Sequence, residues 1–227
     1  MYTKINEKDC IMKLGAVYSK EKTTFTLFSP VADSVFVIFY DKGNDSAETG
    51  RLEMVRGEGE LRSIFSATAE GNLNGVYYTY EVHTPDGTFS SHDPYARACG
   101  VNGHRSMVID LSKTDPDGFA DEDRPKLADP MSMVITEVSI ADVSAGASAH
   151  SRYPGKFKAF TEDKILSYFK DMGVTHLQLM PSYDFASIDE SDSLKEQYNW
   201  GYDPYNYNVP EGSYSTDPFN GAVRVRE

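Results

Sequence analysis

Short apolar runs separated by turn-forming residues dominate the first half of the chain. TTFTLFSP (residues 23–30) alternates apolar and polar positions, VFVIFY (35–40) is almost continuously apolar, GVYYTYEV (75–82) is aromatic and β-branched, and SMVIDL (106–111) closes the series. This composition and a side-chain period of two predict strands. DKGND (41–45), GEGE (57–60) and TPDG (84–87) lie between them, and the Pro-Asp-Gly of the last predicts a reversing turn. Several short strands without helical periodicity predict an all-β, immunoglobulin-like sandwich over residues 1–115.

In SKTDPDGFADEDRPKLADP (112–130) the apolar period disappears and Pro, Asp and Gly accumulate. This predicts a linker over residues 116–130. Asp115, Asp117, Asp121 and Asp123 do not have calcium-loop spacing. Such a loop wants Gly sixth and Glu twelfth, and here Gly118 is fourth and Lys126 twelfth. No metal site is expected.

Residues 131–227 follow a different pattern. MVITEVSI (133–140) predicts a strand. Phe160-Thr161-Glu162-Asp163 predicts a capped helix start, with acids favoured at the positive end of the helix dipole. Ile165, Leu166, Phe169 and Met172 recur at helical spacing, Gly173 is a stop, and VTHLQLM (174–180) predicts a second strand ending at Pro181. A strand-helix-strand unit should be parallel and right-handed, so both strands end on the same side. The long segment 181–218 leaves from that side, which in α/β barrels carries the active site. The pattern by itself predicts a βαβ start. Such an open piece should leave strand edges and apolar surface uncovered.

Asp and Glu number 35 against 22 Lys and Arg, a net charge of −13. The resulting field repels polyanions and offers no basic patch to a membrane surface, which argues against nucleic-acid and membrane partners. No apolar run is long enough to span a bilayer, and the N-terminus has no signal-like apolar region, so a cytoplasmic location is expected. Cys10 and Cys99 have no disulfide or zinc spacing and read as free thiols. The oligomeric state is left open.

Several chemistries fail on spacing. Ser148 and His150 lack a nucleophile elbow, and RGEGELR (56–62) lacks both the third glycine and the Walker lysine of phosphate loops. His176 falls within a predicted strand and reads as a hydrogen-bonded core residue. His83, His92, His104 and His150 are scattered through turns. No cofactor is implied.

The run YNWGYDPYNYNVPEGSYSTDP (198–218) is the most informative stretch. It carries five tyrosines and the sole tryptophan, interleaved with Asn, Asp, Gly and Pro. Aromatic faces beside amide and carboxylate groups match a sugar, which has an apolar C–H face and a rim of hydroxyls. A tyrosine-rich loop packed as its own small core remains open for Tyr198, Tyr205, Tyr207 and Tyr214.

QYNWGYDPYNYNVPEGSYSTDP closely resembles the signature of type I pullulanases, α-glucan debranching enzymes of glycoside hydrolase family thirteen. The resemblance continues through FTEDKILSYFKDMGVTHLQLMPSYDF (160–185) and HDPYARACGVNGHRSMVIDLSKTDPDGF (92–119), and TTFTLFSPVADSVFVIFYD (23–41) looks like the start of a family 48-like carbohydrate-binding module. By resemblance, residues 131–227 are the start of a (β/α)8 TIM barrel, incomplete because a whole barrel takes roughly 250 residues, and the substrate is an α-glucan such as pullulan, amylopectin or glycogen, cleaved at α-1,6 links. Tyr202 would be the platform under the glucose at the cleavage subsite and Asp203 the carboxylate ordering it. Asn199 and Trp200 would shape the loop. Thr136, Ser139 and Ala141 stand where the family usually carries Tyr, His and Arg. The sandwich contains no tryptophan, so glucan binding there would need Tyr or Phe.

The paired carboxylates of a retaining glycosidase, held about 5–5.5 Å apart, lie in this family on strands beyond Glu227. Glu137, Asp142 and Asp184 match none of them, so no catalytic residue is assigned and the chain alone is expected to be inactive. Two alternatives stand beside the enzyme reading: a non-catalytic α-glucan-binding or scaffold protein, and a branching or isoamylase-type relative, against which YNWGYDP counts.

Overall fold

The computed structural model describes residues 13–123, 125–192 and 197–227. Cys10 and part of the Ser/Asp-rich stretch 187–197 lie outside the described residues. The first half contributes β1 (Gly15–Tyr18), β2 (Lys22–Phe28), β3 (Ser34–Tyr40), β4 (Glu48–Glu53), β5 (Val55–Arg56), β6 (Ile64–Glu70), β7 (Tyr77–Thr84), β8 (Gly87–Ser91) and β9 (Ser106–Met107). One antiparallel sheet has the order β1-β2-β6-β5, and the other runs β4-β3-β7-β8 with β9 beside β7.

The two sheets bury Phe25, Leu27 and Phe65 from one side against Val35, Val37, Tyr78 and Tyr80 from the other. Phe25 meets Tyr78 edge-on with ring centroids 5.0 Å apart. Each such side chain contributes about 1.5–3 kcal/mol on burial. The Tyr78 and Tyr80 hydroxyls would be costly inside this layer without acceptors. Both donate to Asp93 Oδ2, at 2.7 and 3.1 Å.

The predicted strands at 23–30, 35–40 and 75–82 correspond to β2, β3 and β7, and Thr84 pairs with Gly87 in the expected hairpin. SMVIDL is strand only at its start, because Asp110 accepts the Ser112 N–H and opens a 3-10 turn instead. β4 and β8 were not legible: ETGRLE and GTFSS lie at the sheet edges, where little apolar patterning is required. Described residues of 115–130 are exposed, with short 3-10 turns and no strand or α-helix.

Beyond them, β10 (Ile135–Val138), α1 (Ile140–Ala145), α2 (Asp163–Asp171) and β11 (His176–Leu179) form a parallel strand-helix-strand unit. Ile165 and Phe169 of α2, one turn apart, pack on Val138. Gly173 ends the helix as expected, with φ +73° and its N–H on the Lys170 carbonyl. The helix starts at Asp163 without a side-chain cap, since Thr161 donates to the Lys158 carbonyl and closes a preceding 3-10 turn. Leu166, Met172, Ile135 and Leu179 are exposed, because two strands are too narrow to cover the whole apolar face. For the same reason His176 is exposed and bonded to Thr175, rather than in a core.

The described part of segment 181–218 is more regular than its composition suggests. β12 (Tyr183–Phe185) and β13 (Pro204–Pro210) form an antiparallel hairpin, followed by α3 (Gly221–Arg226), capped by Asn220. No helix among the described residues is long and apolar enough to cross a membrane.

Candidate functional site

The turn that opens the aromatic run is built by Asn199. Its Oδ1 accepts the Gly201 N–H at 2.7 Å, and its Nδ2 donates to Asp203 Oδ1 at 2.8 Å. One amide thus spans the turn in both directions, as Asn does where the backbone lacks partners. Gly201 has φ +84°, and a Cβ there would lie 2.5 Å from the Pro181 carbonyl oxygen, so only glycine lets the chain double back this closely. The side chains on either side, Trp200 and Tyr202, are consequently presented outward, 59% and 62% exposed.

Asp203 sits under this rim. Its Oδ2 takes a short hydrogen bond from the Ser187 hydroxyl, and its carbonyl accepts the Ala186 N–H from the end of β12. Desolvation opposes its ionisation, but the Ser187 and Asn199 hydrogen bonds outweigh that and hold the carboxyl below its ordinary range. Asp203 is therefore a fixed carboxylate near exposed aromatic faces.

The other tyrosines divide. Tyr214 is buried against Phe157 and Phe185, and Tyr205 is half-buried between His92 and His104. Tyr207 is exposed and tilted against Tyr183, and Tyr198 is exposed with its hydroxyl on Asp142. Packing as a small core thus describes Tyr214 but not Tyr198 or Tyr207. Ser139 is buried and caps α1 through the Asp142 N–H.

Sequence reasoning missed a buried charge cluster behind the loop. Arg224 of α3 is 1% exposed and donates to Asp184 Oδ1 at 3.1 Å, to both oxygens of Glu190, and to the Gly100 carbonyl at 3.0 Å. Glu190 also accepts the Asn102 N–H at 2.6 Å, and Asn206 donates to both Asp184 and the Gly103 carbonyl. Arg224 and these acids therefore tie the turn before β9 of the sandwich to β12, β13 and α3. Glu190 lies in SIDESDSLKEQ (187–197), whose Ser and Asp content reads as an exposed flank of the long loop. A buried acid in a polar stretch leaves no local signature, since its partner is 34 residues away.

Asp184, Glu190 and Glu211 lie close enough together to be a conceivable cation site among the described residues. Both oxygens of each carboxylate already accept protein donors. For Glu211 these are the Ser213 and Phe185 N–H groups at 2.8 and 3.0 Å. The guanidinium is the cation this cluster is arranged around. Three acids share it, and burial, then the charge of Glu190, push Glu211 up to about 8.

The comparisons with known proteins agree with this architecture. Carbohydrate-binding module 48 (isoamylase N-terminal domain) matches residues 13–96. Pullulanase from Bacillus subtilis is 32% identical over 95% of the chain, and pullulanase A from Streptococcus pneumoniae is also 32% identical over 95%. The crystal structure of Paenibacillus barengoltzii pullulanase in complex with maltohexaose and α-cyclodextrin superimposes with TM-score 0.89 at 40% identity, covering 94% of this chain. The chain is pullulanase-type in sequence and fold over nearly its whole length. It spans 30% of the B. subtilis protein, 19% of the S. pneumoniae protein and 34% of the P. barengoltzii chain. The pullulanase-type sandwich thus corresponds to the module-48 match. The aromatic turn and charge cluster lie in residues after it, with Cys99, Gly100, Asn102 and Gly103 as the nearest participants.

Proposed function

We propose that this chain forms part of an α-glucan debranching enzyme hydrolysing α-1,6 links in pullulan, amylopectin or glycogen. In this reading residues 1–115 are the sandwich module, 116–130 the linker, and 131–227 the opening of a (β/α)8 barrel. The observation that carries the proposal is the pair Tyr202 and Asp203. An outward aromatic face stands next to a carboxylate held ionised by Asn199 and Ser187, on the side where β10 and β11 end. Tyr202 supplies the stacking platform and Asp203 accepts sugar hydroxyls. Asn199 and Trp200 shape the rim. The similarity to a pullulanase crystallised with maltohexaose supports an α-glucan ligand. No carboxylate of this chain is assigned to bond cleavage, so the chain alone binds but does not hydrolyse.

Tyr202→Ala should weaken maltotetraose binding roughly tenfold, the worth of one well-packed aromatic face. Calorimetric titration measures this, and an unchanged affinity would remove Tyr202 from the site. The second reading is a non-catalytic glucan binder. It is favoured by Ser139 being committed to capping α1, at a position where the family usually carries His. Reducing-sugar release from pullulan by the longest product of the gene separates the two.

A further inference from the structure

Trp200 and Tyr198 are both more than half exposed, so packing does not fix their rings. Their positions depend on directional contacts, and the structure shows a chain of two. Trp200 Nε1 lies 2.8 Å from the Tyr198 hydroxyl, which lies 3.0 Å from Asp142 Oδ2. The polarity is unambiguous. An indole N–H can only donate and an ionised carboxylate can only accept, so the Tyr198 oxygen accepts from Trp200 and its proton goes to Asp142. The hydrogen bond to Asp142 also pushes the Tyr198 phenol up, which keeps that proton in place into alkaline solution.

Asp142 is well placed for this. It lies in α1, directly after the C-terminal end of β10, and the Met180 N–H bonds to the Val138 carbonyl where the neighbouring strand ends. The segment carrying the aromatic turn therefore leaves the sheet beside Asp142. The acid is 56 residues from Tyr198 in sequence, and no local pattern links them.

We propose that Asp142 is a positioning residue which, through Tyr198, fixes the Trp200 indole as one wall of the glucan site. This rests on the reading of the aromatic turn as that site. Asp142 touches no sugar. Its effect is to restrict the indole to one orientation before ligand arrives, which reduces the ordering cost of binding.

The test uses the whole chain with Asp142→Ala, Asp142→Asn and Tyr198→Phe. Trp200 is the only tryptophan, so acrylamide quenching of its fluorescence reports the relay without sugar. Asp142→Ala and Tyr198→Phe should raise the quenching constant and weaken maltotetraose about fivefold, the worth of one hydrogen bond. Asp142→Asn keeps an acceptor and should stay within about twofold of wild type in both measurements. Circular dichroism checks the fold of each variant, and Tyr198→Phe decides if Asp142→Ala unfolds. The proposal is overturned if quenching and affinity do not change in Tyr198→Phe. It is equally overturned if Asp142→Asn is as damaging as Asp142→Ala, since the charge near α1 would then matter and not the hydrogen bond. If wild type shows no response to maltotetraose, the glucan reading fails, while the quenching series still decides whether the relay exists.

Discussion

Replacing Glu211 by glutamine should change the sign of its effect on stability as pH rises. The wild-type carboxyl is pushed up to about 8 in the folded chain by burial and by Glu190, against an ordinary value of 4.5. Between these values the unfolded chain has lost the Glu211 proton and the folded chain keeps it. The folded state then binds more protons, so this contribution to stability is complete below pH 4.5 and is lost as pH rises to about 8. The slope is about 1.4 kcal/mol per pH unit, which over this interval amounts to on the order of 5 kcal/mol. Glutamine has no such titration. It offers one carbonyl to the Ser213 and Phe185 N–H groups, which both bond to Glu211 in wild type, so it forfeits one hydrogen bond, about 1 kcal/mol. The variant should be slightly less stable than wild type at the acid end and more stable by several kcal/mol at pH 8, with a crossing in between. Urea unfolding followed by circular dichroism from pH 5 to pH 9 gives the difference directly. A difference independent of pH would refute the argument, because it would mean Glu211 is ionised in the folded chain throughout.

Arg224→Met removes the guanidinium that pairs with Asp184 and Glu190, and breaking a buried ion pair in this way costs about 3–5 kcal/mol. The loss should appear as a lower urea midpoint together with faster hydrogen exchange at the Asn102 amide, which bonds to Glu190. Gly201→Ala forces a Cβ against the Pro181 carbonyl at positive φ and should cost about 1–2 kcal/mol. It should also shift the Trp200 emission maximum, and an unchanged spectrum would show that the turn tolerates a side chain. Phe25→Ala empties the centre of the sandwich and should destabilise it by about 3–5 kcal/mol in the same unfolding assay.

Local pattern alone determined much of the framework. Phe25 and Leu27 of β2, Val35 and Val37 of β3, and Tyr78 and Tyr80 of β7 reveal themselves because a strand facing a core must repeat every two residues. Ile165 and Phe169 of α2 repeat at helical spacing for the same kind of reason, and Gly173 ends that helix through its own backbone freedom. The polar turn around Asn199 and Gly201 was visible as composition, although the part each residue takes in building it is set by the folded backbone. Edge strands β4 and β8 escaped notice because a strand with one solvent flank needs no apolar period. The β12–β13 hairpin hid behind Asn and Pro, since its inward positions are Asn206 and Val209, one of them an amide held by Asp184.

Tertiary structure decided everything that depends on the dielectric around a charge and on which distant groups share a space. An acid looks the same in sequence whether it is exposed like Asp86 or buried beside Arg224 like Glu190. The raised Glu211 carboxyl, the depressed Asp203 and the link from Asp142 to Trp200 exist only once segments of 16 to 56 residues have closed. Periodicity is written along the chain because each element must satisfy its own geometry; electrostatic partnership is not, because it is set by the fold as a whole.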